Sequence, residues 1–142
     1  MQELVGNTVR EVWIDSETQQ WLRFVCDEAI MDYQCVGDCC SETWIWSVVF
    51  SYTNFKPNLV VEVKELDLPV AVLSLVNKDG LARQDSDLVY AYRIVMKFGF
   101  IEIVFRNSSN GHYGGSLDLS TAGAPATVTW TKIDKDYTFG GD

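Results

Sequence analysis

Leu88-Val89-Tyr90-Ala91-Tyr92-Arg93-Ile94-Val95-Met96, the bend Lys97-Phe98-Gly99, and Phe100-Ile101-Glu102-Ile103-Val104-Phe105 together decide the fold class. Leu88, Tyr90, Tyr92, Ile94 and Met96 fall on one face of a pleated strand, and Ile101, Ile103 and Phe105 share one face of the next. A period of two on both sides of a short glycine-bearing bend predicts an antiparallel hairpin. The chain is therefore read as mainly β.

The same pattern recurs on the N-terminal side. Val12 and Ile14 alternate with polar neighbours, and Ser16-Glu17-Thr18-Gln19 is a turn. Trp21 to Cys26 is a second strand, rich in aromatic and branched residues that suit a pleat. After Asp27-Glu28, Ile30 to Cys35 is a third, with Met31, Tyr33 and Cys35 on one face. Links this short require antiparallel pairing, because parallel strands need long crossovers. Leu59 to Leu66 alternates Val61 and Val63 against Glu62 and Lys64. Pro69 to Val76 is ambiguous, Asn77-Lys78-Asp79-Gly80 is a turn, and Leu81 to Asp87 is polar loop. Ser116 to Leu119 and Thr127 to Ile133 are short strands. The aromatic tail from Tyr137 docks on a neighbour or frays.

One segment departs from this pattern. Ser41 suits a helix N-cap, and Trp44, Ile45, Val48 and Val49 fall at helical spacing. This predicts one short helix near residues 41–52, ended by Lys56-Pro57-Asn58. The branched and aromatic content of the segment makes a strand its rival. In a helix Trp44 and Trp46 cannot share a face, which leaves one tryptophan exposed as an interface anchor. The expected architecture is one domain over residues 1–142. It is mainly β (α+β): an antiparallel sheet, curled or two-layered, with that helix.

Composition limits the function classes. Hydrophobic residues make up 47% of the 142 residues and charged residues 22%, enough for a core and against disorder. Twenty acids against 11 bases give a net charge of −9. Such a surface repels nucleic acid and anionic membrane, since phosphate binding needs clustered Lys and Arg. It fits a basic protein partner, or an acidic mimic of nucleic acid. No basic, then apolar, segment resembling a secretion signal opens the chain. Ile45 to Phe50 and Pro69 to Ser74 are too short to span a bilayer. Cytosolic residence with reduced cysteines is expected, and the Asn107-Ser108-Ser109 glycosylation triplet is then irrelevant.

Two stretches carry the candidate chemistry: Gly37-Asp38-Cys39-Cys40-Ser41-Glu42-Thr43-Trp44, and Arg106-Asn107-Ser108-Ser109-Asn110-Gly111-His112-Tyr113-Gly114-Gly115. Cys26, Cys35, Cys39, Cys40 and His112 are soft metal ligands, yet no Cys-x-x-Cys pair exists to clamp zinc. Cys26 and Cys35 sit in strand patterns as small apolar side chains. Cys39 or Cys40 at a helix start would have a lowered pKa. His112 as base, oriented by Asp38 or Asp118, would complete a thiol-dependent enzyme. Asn110-Gly111 is a turn signal, and the loop reads first as a connection between strands. Its second reading is an anion nest with Arg106, lacking the Gly-Lys-Ser/Thr ending of a phosphate loop.

Both motifs, with the opening Val-Gly-x-Thr and the Tyr90-x-Tyr92 strand, make residues Gly6 to Leu119 similar to a family of small bacteriophage and prophage proteins of unknown function. The resemblance implies a phage origin and residence in the cytoplasm of a bacterial host. It brings no cofactor or catalytic residue. Family members often carry Tyr at the position of His112, which argues against a shared histidine mechanism. Small phage accessory proteins often disable host machinery, immune systems included. The expectation is a non-enzymatic counter-defence protein binding a host protein or sequestering its small-molecule signal. Contacts are expected from Asp38, Ser41, Trp44, Arg106, Asn107, Asn110 and Tyr113, with no metal, no cofactor, no direct nucleic acid, no membrane and a possible homo-oligomer. The alternatives are a thiol- or metal-dependent enzyme using Cys39 or Cys40 with His112, and the acidic mimic inhibiting a DNA- or RNA-binding host protein.

Overall fold

A computed structural model describes residues 1–38, 41–52, 55–67, 86–109 and 114–138. After a short 3-10 turn at Gln2–Leu4, the described residues form ten strands in chain order. They are β1 (Thr8–Asp15), β2 (Trp21–Cys26), β3 (Ile30–Gly37), β4 (Ser41–Phe50) and β5 (Asn58–Leu66), then β6 (Ser86–Met96), β7 (Phe100–Ser109), β8 (Gly115–Leu119), β9 (Trp130–Ile133) and β10 (Tyr137–Thr138). They form an open sheet in the order β10-β4-β7-β6-β5-β1-β2-β3-β8, with β9 on β1. Every pairing is antiparallel.

The expected central hairpin is β6–β7, in register from Ser86↔Ser109 to Val95↔Phe100. Gly99 turns it at φ +84°, a backbone region costly for residues with a Cβ. The β1–β2 turn is held by Asp15, whose Oδ1 accepts from the amides of Glu17 and Thr18 at 3.1 Å each. A polar side chain satisfying backbone donors in this way fixes a turn. The aromatic tail begins as β10, pairing Tyr137 with Val48 and Thr138 with Ser47.

The sheet has two halves joined narrowly. β1 pairs with β5 only through Thr8↔Leu59 and Val9↔Asn58, then turns to β9 from Val12 to Asp15. Irregularities at Val9/Glu11, Val60/Glu62 and Ile45/Ser47 bend the strands, as bulges do. The halves share one apolar core: Val12, Ile14, Leu22, Phe24 and Tyr33 from one, Ile45, Val48, Ile94, Ile101, Ile103 and Phe105 from the other. They also touch directly, the Ile45 amide donating to the Gln19 carbonyl at 2.8 Å.

The helix expected near residues 41–52 is not formed. Ser41–Phe50 is strand β4, and Ser41 is no N-cap. The irregularity between Ile45 and Ser47 is the reason the spacing misleads. It inserts one residue, so core positions fall at Ile45, Val48 and Phe50 instead of strict alternation. The opposite face is covered as well, with Trp44, Ser47, Val104 and Arg106 buried there. A strand buried on both faces reads as a continuous apolar run. The turn expected at Asn77–Gly80 and the segment Pro69–Val76 lie outside the described residues. Among the described residues, no helix is long and apolar enough to cross a membrane.

Candidate functional site

The two motif stretches meet through a pair of cross-strand pairs. Gly37 of β3 lies opposite Gly115 of β8, and Thr43 of β4 lies opposite Asn107 of β7. Asn107 Nδ2 donates to Thr43 Oγ1 at 2.8 Å, and Thr43 Oγ1 donates to the Val36 carbonyl at 3.3 Å. The glycines allow this approach. A Cβ at Gly115 would stand 2.5 Å from Thr43 Oγ1, and one at Gly37 would stand 2.8 Å from the same atom. The Asn107 side chain is fully buried, and its Oδ1 has no hydrogen-bond partner among the described residues.

Above this junction the loops hydrogen-bond to each other. The Asp38 amide donates to the Gly114 carbonyl at 3.3 Å, and the Gly114 amide points at Asp38 Oδ2 at 3.4 Å. The Asp38 carbonyl accepts from the Ser41 amide at 3.0 Å and from Ser41 Oγ at 2.7 Å. Tyr90 supports the junction from β6, its hydroxyl 3.4 Å from the Gly115 amide and its ring stacked 5.0 Å from Phe105. Val36, Gly37, Asp38, Gly114, Gly115 and Ser116 line an open cleft of about 270 Å³.

The expected contact residues divide by burial. Asp38 is exposed and Ser41 half-buried, both beside that cleft. Trp44, Arg106 and Asn107 are fully buried and present no surface to a partner in this conformation. Trp44 is thus not an exposed anchor, and it shares a site with Trp46. The Arg106 guanidinium carbon lies 5.3 Å from the Trp44 ring centroid and 5.9 Å from that of Trp46. In a strand, residues two apart share a face, which brings both indoles to one cation, an arrangement helical geometry forbids. Asn110 and Tyr113, with Cys39, Cys40 and His112, lie outside the described residues.

The two described cysteines are unsuited to nucleophilic chemistry. Burial, then the neighbouring Asp27 charge, pushes the Cys26 thiol up to about 11. Burial, then Asp15, raises Cys35 further. Among the described residues, no cluster of His, Cys, Asp or Glu could hold a metal ion.

Sequence reasoning missed two features. Thr43 as the acceptor that Gly37 and Gly115 fold against leaves a trace only as glycines inside strand patterns. The second is a hollow at the far end of β4, around Tyr52 and Phe98. Its one sequence signal, Phe98-Gly99, reads as a bend and nothing more.

The chain is 31% identical over 88 residues to an uncharacterized protein of Acanthamoeba polyphaga mimivirus. That match covers 58% of this chain and 62% of the viral protein, so the chain spans about three fifths of that relative's length. No family model and no solved structure matches the chain.

Proposed function

We propose that this is a non-enzymatic viral accessory protein that acts by binding. In this reading it is of phage origin and works in the cytoplasm of a bacterial host. There it antagonises a defence component, either by engaging a host protein or by sequestering that system's small-molecule signal. One observation carries the reading: the loops around Asp38 and Gly114, distant in sequence, are hydrogen-bonded at one end of the sheet. They leave Asp38 and Ser41 at the rim of an open cleft. A rigid framework presenting a few convergent polar groups is how binding sites are built. The likeness to a viral protein supports the setting, and the net charge of −9 supports a basic partner surface.

The test is expression in bacteria carrying individual defence systems, scored by plaque formation of a sensitive phage. The wild-type chain is expected to restore plaques against at least one system. Asp38→Arg reverses an exposed charge and gives up only the long contact with the Gly114 amide, so it should abolish rescue while costing no more than about 0.5 kcal/mol of stability in urea. Failure to restore plaques against any system, or full rescue by Asp38→Arg, counts against the proposal.

A further inference from the structure

A second hollow lies at the opposite end of β4, about 30 Å from the Asp38 loop at ordinary strand rise. Ser51, Tyr52, Lys56, Pro57, Asn58, Phe98 and Gly99 line an open hollow of about 460 Å³, within the volume range of small-ligand sites. Its walls are fixed by bonds that leave little freedom. Buried Asn58 clamps the β6–β7 turn from both sides, Nδ2 donating to the Phe98 carbonyl at 2.6 Å and Oδ1 accepting from the Phe98 amide at 3.1 Å. Ser51 Oγ accepts from the Phe100 amide at 2.7 Å. The Tyr52 ring lies so close to Gly99 that a Cβ there would be 2.6 Å from it. Tyr52 is stacked on Phe55 at 6.0 Å, and its hydroxyl reaches Met96 Sδ at 3.6 Å.

Held on this clamped turn, Phe98 is 69% exposed, the most exposed of the large apolar side chains described. An apolar ring kept in water by a rigid support is available for stacking. Charge adds a second, independent observation. Arg10, Arg23, Lys64, Arg93 and Lys132 each pair with a carboxylate. Lys56, Lys97 and Lys135 have no such partner among the described residues, and all three gather at this end. Lys56 lines the hollow, and the Lys97 ammonium lies 5.5 Å from the Phe98 ring centroid. Lys135 lines an adjoining hollow that shares Ser51 and Tyr52, together with Asp136, whose Oδ1 accepts from the Phe50 amide at 2.8 Å. On a chain of net charge −9, Lys56 and Lys97 are thus cations without a carboxylate partner among the described residues, beside two aromatic rings.

We infer that this hollow binds a small aromatic anion of mononucleotide size, its ring stacked against Phe98 and Tyr52 and its anionic group held by Lys56 and Lys97. Neither a ring nor an anion alone uses both halves of the site. The overall negative charge disfavours a polyanionic strand. The inference stands apart from the proposed function, which uses the other end of the molecule.

The test is an NMR titration of the ¹⁵N-labelled full chain with adenosine monophosphate, adenosine, inorganic phosphate and a short single-stranded oligonucleotide. Adenosine monophosphate is expected to shift the amides of Tyr52, Lys56, Asn58, Phe98 and Gly99 with a Kd of about 1 mM or tighter. Adenosine and phosphate should each bind at least about tenfold more weakly. Phe98→Ala and Lys56→Ala alter exposed side chains, and each should weaken binding by about tenfold, the size of a lost stacking or charge contact. An unchanged urea midpoint in both variants separates lost binding from lost fold. Absence of shifts at those amides, unchanged affinity in Phe98→Ala, or tighter binding of the oligonucleotide at equal nucleotide concentration would overturn the assignment.

Discussion

Gly115→Ala is the most direct probe of how the sheet closes. The added Cβ would sit 2.5 Å from Thr43 Oγ1 and 3.0 Å from both Thr43 Cγ2 and Asn107 Nδ2, whereas ordinary contact begins at 3.4 Å. Something must yield by 0.9 Å, the difference between 3.4 and 2.5 Å. The candidates are poor. Thr43 is β-branched and stiff at χ1, and Asn107 is held to it by a 2.8 Å hydrogen bond in a fully buried position. Overpacking of this kind costs about 1–3 kcal/mol. Breaking the Asn107–Thr43 bond adds about 0.5–1.5 kcal/mol. The expected loss is about 1.5–4.5 kcal/mol, the sum of those two costs.

Urea denaturation followed by tryptophan fluorescence and far-ultraviolet circular dichroism measures this. With a slope of about 2 kcal/mol/M, the midpoint should fall by about 1–2 M. Gly114→Ala is the control: its Cβ would meet only Tyr90 Oη, at 3.2 Å, and should cost less than about 0.5 kcal/mol. Thr43→Ala makes room for the new methyl group. The double variant Thr43→Ala, Gly115→Ala should therefore be at least about 1 kcal/mol more stable than the two single costs imply. If Gly115→Ala matches wild type, or the two substitutions add without coupling, Thr43 is not what the glycine accommodates.

Asp32 accepts from Arg23 Nε at 2.7 Å, Arg23 Nη2 at 2.8 Å and the Ala124 amide at 2.9 Å, so Asp32→Ala should cost about 3–5 kcal/mol in the same assay; a loss below 1 kcal/mol, about a fivefold change in the equilibrium, contradicts this. Burial pushes the Asp32 carboxyl up, but Arg23 and the Ala124 amide together pull it below its ordinary value of 3.8. The folded state then binds fewer protons than the unfolded state through the acid range. Asp32 stabilisation is thus complete above about pH 5, and it is lost as pH falls through the depressed folded pKa. Asp32→Asn should flatten the acid limb of a midpoint-against-pH curve, and an unchanged limb refutes the assignment. At pH 8, iodoacetamide labelling with peptide mapping should find Cys26 and Cys35 protected in the native protein and modified in urea, because a thiol near pKa 11 is only about one-thousandth ionised there. Native labelling at the unfolded rate refutes that burial. Trp44→Ala should cost about 3–5 kcal/mol, the penalty for emptying a fully buried indole site, and a cost within 1 kcal/mol of zero would place Trp44 at the surface.

The sheet was legible wherever one face is wet. In β7, Ile101, Ile103 and Phe105 alternate with Phe100 and Glu102, and Glu102 pairs across the strand with Arg93, its Oε1 2.8 Å from Arg93 Nε. That alternation is what a half-buried strand writes into a sequence. β4 writes no such signal, because Trp44 and Ile45 are neighbours buried on opposite faces and the insertion near Trp46 shifts the phase. The resulting Ile45–Val48 spacing imitates one helical turn. The importance of the two loop stretches was legible from their unusual residues, but their partition was not. Exposure of Asp38 and burial of Asn107 follow from cross-strand register, which depends on pairings between residues more than sixty positions apart. Lys56 and Lys97 are unremarkable in the chain, and their segments come together only because Asn58 ties itself to the Phe98 backbone.

The motif residues therefore serve two purposes that variants must keep separate. Gly37, Thr43, Asn107 and Gly115 close the two halves of the sheet on each other, and substituting them removes the framework along with anything it presents. Asp38 and Ser41 ride on that closure: the Asp38 amide bonds to Gly114, and its carbonyl takes both donors of Ser41. The bonds that shut this end are thus the ones that make its surface rigid. Loss of activity in Asn107→Ala would report folding, whereas loss in Asp38→Arg at unchanged stability would report contact. The Tyr52–Phe98 hollow is assembled by a separate set of bonds at the other end, through Asn58, Ser51 and Gly99. Sites separated by about 30 Å with no shared partner perturb stability additively. Activity that tracks one set of surface variants and ignores the other identifies which end of the sheet the protein uses.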